Sequence, residues 1–296
     1  MAVELAIGFF DGVHLGHRKI ISAAKARGGE TVVETFLSHP MEVVSPDRAP
    51  KLIMTPEMRR RALFEAGADR VEMREFTRET AAMTPEEYAE ILISRHPSLD
   101  TVFCGANWTF GAKGAGTPWL LKELLAGKAS VEVVGYAMVD GIPVSSSRIR
   151  EALSVGRIDE ADRLLGHGFE IEGPVVKGKG LGRDLGYPTI NLEVSAPALP
   201  FGVYLVKTPF GKAIANWGHA PTAGDMSWKK PILEIHLLDY GFSPLCASAP
   251  LRDKNTPPCE TMRIEVAEFI RPERKFSSFD ELKEQIKRDI EYVKKA

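Results

Sequence analysis

The sequence predicts an α/β chain in two parts: a parallel sheet flanked by helices, then a small antiparallel β-barrel with a terminal helix. Three observations carry this. Strand-like and helix-like segments alternate at short spacing through the first half. After about residue 168 that alternation stops, and short apolar runs follow one another between Gly, Pro and Asn turns. A single helical pattern returns near the end of the chain. At roughly 150 residues per domain, 296 residues fit two domains, and the change of pattern divides them into 1–165 and 166–296.

In the first part, Val3–Phe10 is a short apolar run, Arg18–Ala26 reads as a helix and Thr31–Phe36 as a β-branched strand. Pro56–Ala66 and Pro85–Ser94 each follow a Thr, the pattern of an N-cap with Pro at the first helical position. Thr101–Cys104 and Val131–Val139 supply further strands, and Ser147–Leu165 reads as a helical junction. In the second part the expected strands are Phe169–Val176, Gly202–Lys207, Lys212–Trp217, Ile232–Leu238 and Met262–Phe269. A helix is expected from Ser278 to about Lys295.

Composition narrows the function. Residues 1–152 hold 18 Lys+Arg against 20 Asp+Glu, and residues 153–296 hold 20 against 20. Neither half has the positive charge of a nucleic-acid binder, so no nucleic-acid partner is expected. No apolar run reaches the ~18 to 20 residues of a membrane span, and no membrane partner is expected. The N-terminus lacks the pattern of a signal peptide, and Cys104, Cys246 and Cys259 show no CxxC spacing. A reducing, cytoplasmic setting follows as the expectation. Oligomeric state is left open.

Two constellations carry chemistry. The first is Gly8-Phe9-Phe10-Asp11-Gly12-Val13-His14-Leu15-Gly16-His17, between the first strand and the first helix. In an open α/β sheet, ligands bind beyond the carboxyl ends of strands, and a helix N-terminus offers unpaired N–H groups to a phosphate. His14 and His17 are three apart and fit one helical turn, while glycines at 12 and 16 allow close approach. Later, Val144-Ser145-Ser146-Ser147-Arg148-Ile149-Arg150 opens a helix with three hydroxyls, of which Ser146 and Ser147 cap it or bind phosphate. Arg150 follows about one turn on, with the side chain best shaped for a phosphate.

These two segments together resemble the nucleotidyltransferase superfamily. Thr35-Phe36-x-x-His39-Pro40 and Gly105-x-Asn107-Trp108-Thr109-Phe110-Gly111, in that order, narrow the likeness to the FMN adenylyltransferase module of bacterial bifunctional riboflavin kinase/FAD synthetases. The resemblance implies a Rossmann-like nucleotidyltransferase domain. It also implies that His14, His17, Ser146, Ser147 and Arg150 contact ATP phosphates, with Gly8, Phe9, Asp11 and Gly12 as binding residues of the loop. Asn107 would hold substrate near the transferred group. Leu37-Ser38 stand where the family usually has Asp-Pro.

The second constellation is Gly178-Lys179-Gly180-Leu181-Gly182-Arg183-Asp184-Leu185-Gly186-Tyr187-Pro188-Thr189-Ile190-Asn191. Its glycines suit a phosphate cradle, though it is not a Walker A loop, which ends in Gly-Lys-Ser/Thr. The run resembles the ATP- and metal-binding segment of riboflavin kinase. On that resemblance Gly178, Gly180, Gly182, Arg183 and Pro188 bind ATP, and Thr189 and Asn191 give oxygen ligands to Mg²⁺. Gly202-Val203-Tyr204, Ala215-Asn216-x-Gly218, Pro221-Thr222 and Leu233-Glu234-Ile235-His236-Leu237-Leu238-Asp239 follow in family order. Strand alternation separates Glu234 and His236 from Leu233, Ile235 and Leu237. The resemblance makes Glu234 the general base for the ribityl hydroxyl, with His236 beside the site. Arg271-Pro272-Glu273-Arg274-Lys275-Phe276 also matches and reads as a solvated charge run.

Two departures stand out: Gly218-His219-Ala220-Pro221-Thr222 lacks an Arg usual in the family, and Tyr240–Thr261 replaces a short connection with a long loop holding Cys246 and Cys259. The implied function is bifunctional: riboflavin plus ATP gives FMN, and FMN plus ATP gives FAD and pyrophosphate. ATP is the co-substrate, and riboflavin, FMN and FAD are the other small-molecule ligands. The alternatives are a monofunctional FAD synthetase with a degenerate barrel and a non-catalytic flavin-binding protein.

Overall fold

The computed structural model describes residues 1–176, 189–195, 197–218, 231–238 and 260–295, the side chain of Phe279 apart. Gly178, Gly180, Gly182, Arg183 and Pro188 lie outside the described residues, as do 219–222 and the loop from Tyr240 to Cys259. The chain divides into two compact units, Met1–Ile149 with Arg163–Gly166, and Arg150–Asp162 with His167–Ala296.

In the first unit, β1 (Val3–Ile7), β2 (Glu30–Phe36), β3 (Arg70–Arg74), β4 (Leu99–Gly105) and β5 (Ser130–Val134) form a sheet in the order β3-β2-β1-β4-β5. Every neighbouring pair is parallel. Val3, Leu5, Ile7, Val32, Val102 and Cys104 form one core with Ala89 and Leu92 of α5 (Pro85–Arg95) and Leu121 of α6 (Pro118–Leu124). The helix α1 (Leu15–Lys25) packs on β1, β2 and β4 and buries Ile20, Ile21 and Ala24, which are not part of that core. The capping reading holds: Thr55 Oγ1 accepts from Met58 N at 3.2 Å to start α3 (Pro56–Glu65), and Thr84 with Glu87 forms a capping box on α5.

Three readings are corrected. The first helix begins at Leu15, three residues before the expected Arg18, because His14 caps it. Val131–Val139 is not one strand; after β5 the chain makes a separate hairpin, Met138–Val139 with Ile142–Pro143. Asp140 (φ 56°) and Gly141 (φ 74°) turn it, a left-handed pair that suits a two-residue hairpin. The junction Ser147–Leu165 is two helices, Ser146–Ser154 and Ile158–Leu165, because Gly156 at φ 76° ends the first.

The second unit is a closed antiparallel barrel of β8 (Phe169–Val176), β9 (Ile190–Leu192), β10 (Gly202–Thr208), β11 (Gly211–Gly218), β12 (Ile232–Leu237) and β13 (Thr261–Pro272). Its interior is filled by Tyr204, Val206, Ala213, Ala215, Trp217, Leu233, Ile235 and Ile264, all buried. Register fixes the opposite face: Val203, Leu205 and Ile214 pack under Val293 and Ile290 of the terminal helix Phe279–Lys295. The run Arg271–Phe276 is solvated as expected over Pro272–Lys275, and two of its arginines also fasten the terminal helix. Arg271 makes a two-pronged ion pair with buried Asp289 of that helix, and Arg274 donates to Gln285 Oε1 at 2.9 Å.

Glu34 on β2 anchors the edge of the parallel sheet. Its buried carboxylate accepts from Arg74 Nε at 3.0 Å and lies 3.3 Å from His96 Nε2 and 3.4 Å from Arg95 Nη1. Burial alone would raise its pKa, but the bonds from His96 and Arg74 and the arginine charges hold it below the ordinary carboxylate value. The stability it contributes is therefore present above the unfolded carboxylate pKa and lost as pH falls through the folded one. Glu34→Gln is expected to cost about 3 kcal/mol at neutral pH. In urea titrations the gap from wild type should close as pH drops through the carboxylate range.

Candidate functional site

The parallel sheet reverses its strand order between β1 and β4, and the crevice beyond their carboxyl ends is where ligands bind in such sheets. Both expected segments are there: Gly8–His17 follows β1, and the exposed Asn107 follows β4 by two residues.

The Gly8–His14 turn is built under strain. Phe10 (φ 56°), Gly12 (φ 84°) and Val13 (φ 38°) all have left-handed backbones. For the two non-glycine residues that costs about 1 to 3 kcal/mol each. A side chain at Gly12 would in addition meet Ile53 Cδ1 at 3.1 Å and Leu165 Cδ2 at 3.2 Å. The surroundings hold the turn. Asp11 is 1% exposed, and its carboxylate accepts the backbone N–H of Ile53 at 3.1 Å and of Met54 at 3.2 Å. Thr35 Oγ1 donates to Phe9 O at 2.9 Å, and Ser146 Oγ donates to Asp11 O at 3.0 Å. The last bond ties together segments 135 residues apart.

His14 Nδ1 accepts from His17 N at 3.3 Å, capping α1. That bond puts the ring proton of a neutral His14 on Nε2. The two imidazoles stack, with centroids 3.6 Å apart and planes 15° from parallel. Gly16 makes room for this, since a side chain there would lie 3.1 Å from His14 Cε1. The helix Ser146–Ser154 is capped by Ser145, whose Oγ accepts from Arg148 N at 3.3 Å. Ser147 is left exposed at its first turn, and Arg150 lies on the same helix. Arg148 turns away and donates to Val139 O and Ile142 O of the hairpin.

Sequence reasoning missed Ser145 and Thr35 as supports, although Thr35 stood within a motif. It also missed Arg59, which is wholly buried beneath Phe9 with its guanidinium 4.2 Å from the ring centroid.

In the barrel, antiparallel register puts Asn191 of β9 and Asn216 of β11 directly opposite Glu234 of β12, one on each side. The row lies on the face opposite Leu233 and Ile235, which fill the interior. His236 shares Glu234's face two residues on. Burial, and the nearby charge of Glu273, raise the Glu234 pKa above the ordinary carboxylate value. Asn191 is 5% exposed, and its Oδ1 has no hydrogen-bond partner among the described residues. Thr189, exposed, lies two residues earlier, just ahead of the strand. Neutral oxygen donors of this kind suit a hard divalent cation, so the residues fit Mg²⁺. Val176, the last residue of β8, is the register partner of Asn191.

Residues 2–148 match the family model described as FAD synthetase, and residues 165–296 match the one described as riboflavin kinase. The bifunctional riboflavin kinase/FMN adenylyltransferase of Bacillus subtilis (strain 168) is 32% identical over 296 residues, covering 96% of this chain and 89% of that one. Its counterpart from Escherichia coli (strain K12) is 32% identical over 302 residues, covering 96% and 90%. A solved structure described as a macrolide-efflux protein from Streptococcus pneumoniae is 28% identical, with a TM-score of 0.79, covering 99% of this chain and 94% of that one. Among the described residues, no helix is long and apolar enough to cross a membrane. With both halves matched and the relatives matched from end to end, the chain belongs to the bifunctional riboflavin kinase/FMN adenylyltransferase family.

Proposed function

We propose that the chain catalyses two steps of flavin cofactor synthesis, riboflavin phosphorylation in the barrel unit and FMN adenylylation in the parallel-sheet unit. The observation that carries the adenylylation site is the Ser146–Asp11 bond, which supports a single phosphate site built from two distant segments. The riboflavin kinase match spans residues 165–296, including the altered 240–261 loop, and so favours two activities over a degenerate barrel.

In the first unit, the phosphate of FMN attacks the α-phosphorus of ATP in line, and pyrophosphate leaves. No covalent nucleophile is required; the work is to hold two anions together and stabilise the charge that develops. His14 Nε2–H, the α1 N-terminus, Ser146, Ser147 and Arg150 are the groups assigned to the triphosphate. Gly8, Phe9, Asp11 and Gly12 act through the shape of the turn, since Asp11 spends its carboxylate on Ile53 and Met54. Asn107 is assigned to the reacting group.

In the second unit, Glu234 takes the proton of the ribityl hydroxyl as its oxygen attacks the γ-phosphorus of ATP, with ADP leaving. A raised pKa makes this carboxylate a stronger base than an exposed one. Thr189 and Asn191 would hold Mg²⁺, which supplies charge neutralisation on the ATP phosphates. Gly178, Gly180, Gly182, Arg183 and Pro188 are assigned to ATP on the motif alone. A cytoplasmic setting goes with this assignment.

Purified protein given Mg²⁺-ATP and riboflavin is expected to yield both FMN and FAD by chromatography. Glu234→Gln should lower FMN formation at least ~100-fold and leave FAD formation from FMN intact; unchanged phosphorylation would remove Glu234 from the role. Asp11→Ala strands the Ile53 and Met54 N–H groups, a loss of about 1 to 3 kcal/mol. Displacing the turn should cut adenylylation about 100-fold while riboflavin phosphorylation persists, as read in the two assays on one preparation.

A further inference from the structure

Arg59, on α3, is the one arginine among the fully buried side chains of the described residues, with 0% exposure. Its Nη2 donates to the carbonyl oxygens of Phe36 and Leu37, the latter at 3.0 Å, just past the carboxyl end of β2. Its guanidinium carbon lies over the ring of Phe9, just past the carboxyl end of β1. One side chain therefore clamps two strand ends beside the ligand crevice. Its Nε and Nη1 have no hydrogen-bond partner among the described residues. The first acid to influence it is Asp11, whose carboxylate is bonded to Ile53 N and Met54 N. Burial lowers the pKa of Arg59 to about 10, so the group remains a cation at neutral pH.

The charge strengthens the bonds to the two carbonyls and the contact with the ring, and its burial is costly enough to call for a purpose. Phe9 points to that purpose. Its ring meets Arg59 and makes an edge contact with His39 at 4.7 Å between centroids. His39 in turn begins the short helix Met41–Val44 by accepting Met41 N at 3.1 Å. Arg59 thus sets the wall of the crevice on the β2 side, whereas the stacked His14 and His17 and the start of α1 define the other side.

We propose that Arg59 is a positioning residue for the flavin acceptor of the adenylyl-transfer site. It acts through Phe9 and the β2 end, which it holds together as the wall of the crevice on the acceptor's side. The inference rests on the adenylylation assigned to this unit. ATP binding, assigned to the α1 side, should be affected little.

The test is steady-state FAD formation by the full chain and by Arg59→Met and Arg59→Lys, varying FMN and Mg²⁺-ATP separately. Riboflavin phosphorylation and circular dichroism are measured on the same preparations. Arg59→Met should raise the KM for FMN about tenfold while kcat and the KM for ATP stay within about threefold. Arg59→Lys, which keeps the charge but not the flat fork, should recover part of that loss. An unchanged KM for FMN, an equal rise in both KM values, or a lysine variant no better than methionine would overturn it. Should Arg59→Met fail to fold, Arg59→Gln, which keeps a donor to the two carbonyls but not the charge, should show the same selective rise in the FMN KM; no rise overturns the proposal. A wild-type chain that makes no FAD from FMN would remove the underlying assignment, an outcome separate from an active wild type with indifferent variants.

Discussion

The carboxylate of Asp11 is the constraint on which the first unit's site depends. Left-handed backbone at Phe10 and Val13 would relax in a free loop. It persists because Asp11 pins the turn to the N–H groups of Ile53 and Met54, just ahead of α3, and because Ser146 and Thr35 hold the neighbouring carbonyls. The strained turn in turn sets where α1 starts, and α1's start sets the stacked pair His14–His17. A carboxylate directed into the protein thereby determines where the outward-facing donors stand. That is preorganisation by burial, with the hydrogen bonds made before any ligand arrives.

The barrel solves a similar problem with register. Asn191, Glu234 and Asn216 come from three strands, and antiparallel pairing alone brings them into one row. A slip of one residue on β12 would turn Glu234 into the interior and bring Leu233 or Ile235 out. Trp217, Tyr204, Leu233 and Ile235, each at most 1% exposed, oppose such a slip because they fill the interior on the alternate positions. The core residues therefore set the site, although none of them faces it.

Much of this was legible in the residues. Patterning located both units, four of the five sheet strands and five of the six barrel strands, and the Thr-Pro starts of two helices were read correctly. What was missed has physical causes. β3, Arg70-Val71-Glu72-Met73-Arg74, carries its charges into ion pairs along a sheet edge, so it has no apolar signature. β9 is three residues long, too short for alternation to register. Asp140-Gly141 was a hairpin signal lying just past Val131–Val139, the stretch read as one strand. Arg59 sat in a triplet of arginines that composition treats alike. Helical phase separates them, because Arg59 shares a face with Ala62 and Leu63 whereas Arg60 and Arg61 do not.

The candidate sites divide along the same line. Motif spacing found the groups assigned to ligand, His14, His17, Ser146, Asn191 and Glu234, because chemistry demands particular residue types there. Asp11 apart, it did not find the groups that hold them, since a cap, a carbonyl clamp or a buried ion pair admits several solutions. Transfer between anions makes that second class decisive. There is no nucleophile to activate, and Cys104, the free thiol on β4 whose pKa burial pushes up to about 12, is in no position to serve as one. Rate then rests on how firmly donors are held where charge develops. In the first unit that firmness is traceable to Asp11, Thr35, Ser145 and Arg59, four side chains turned away from the chemistry they support.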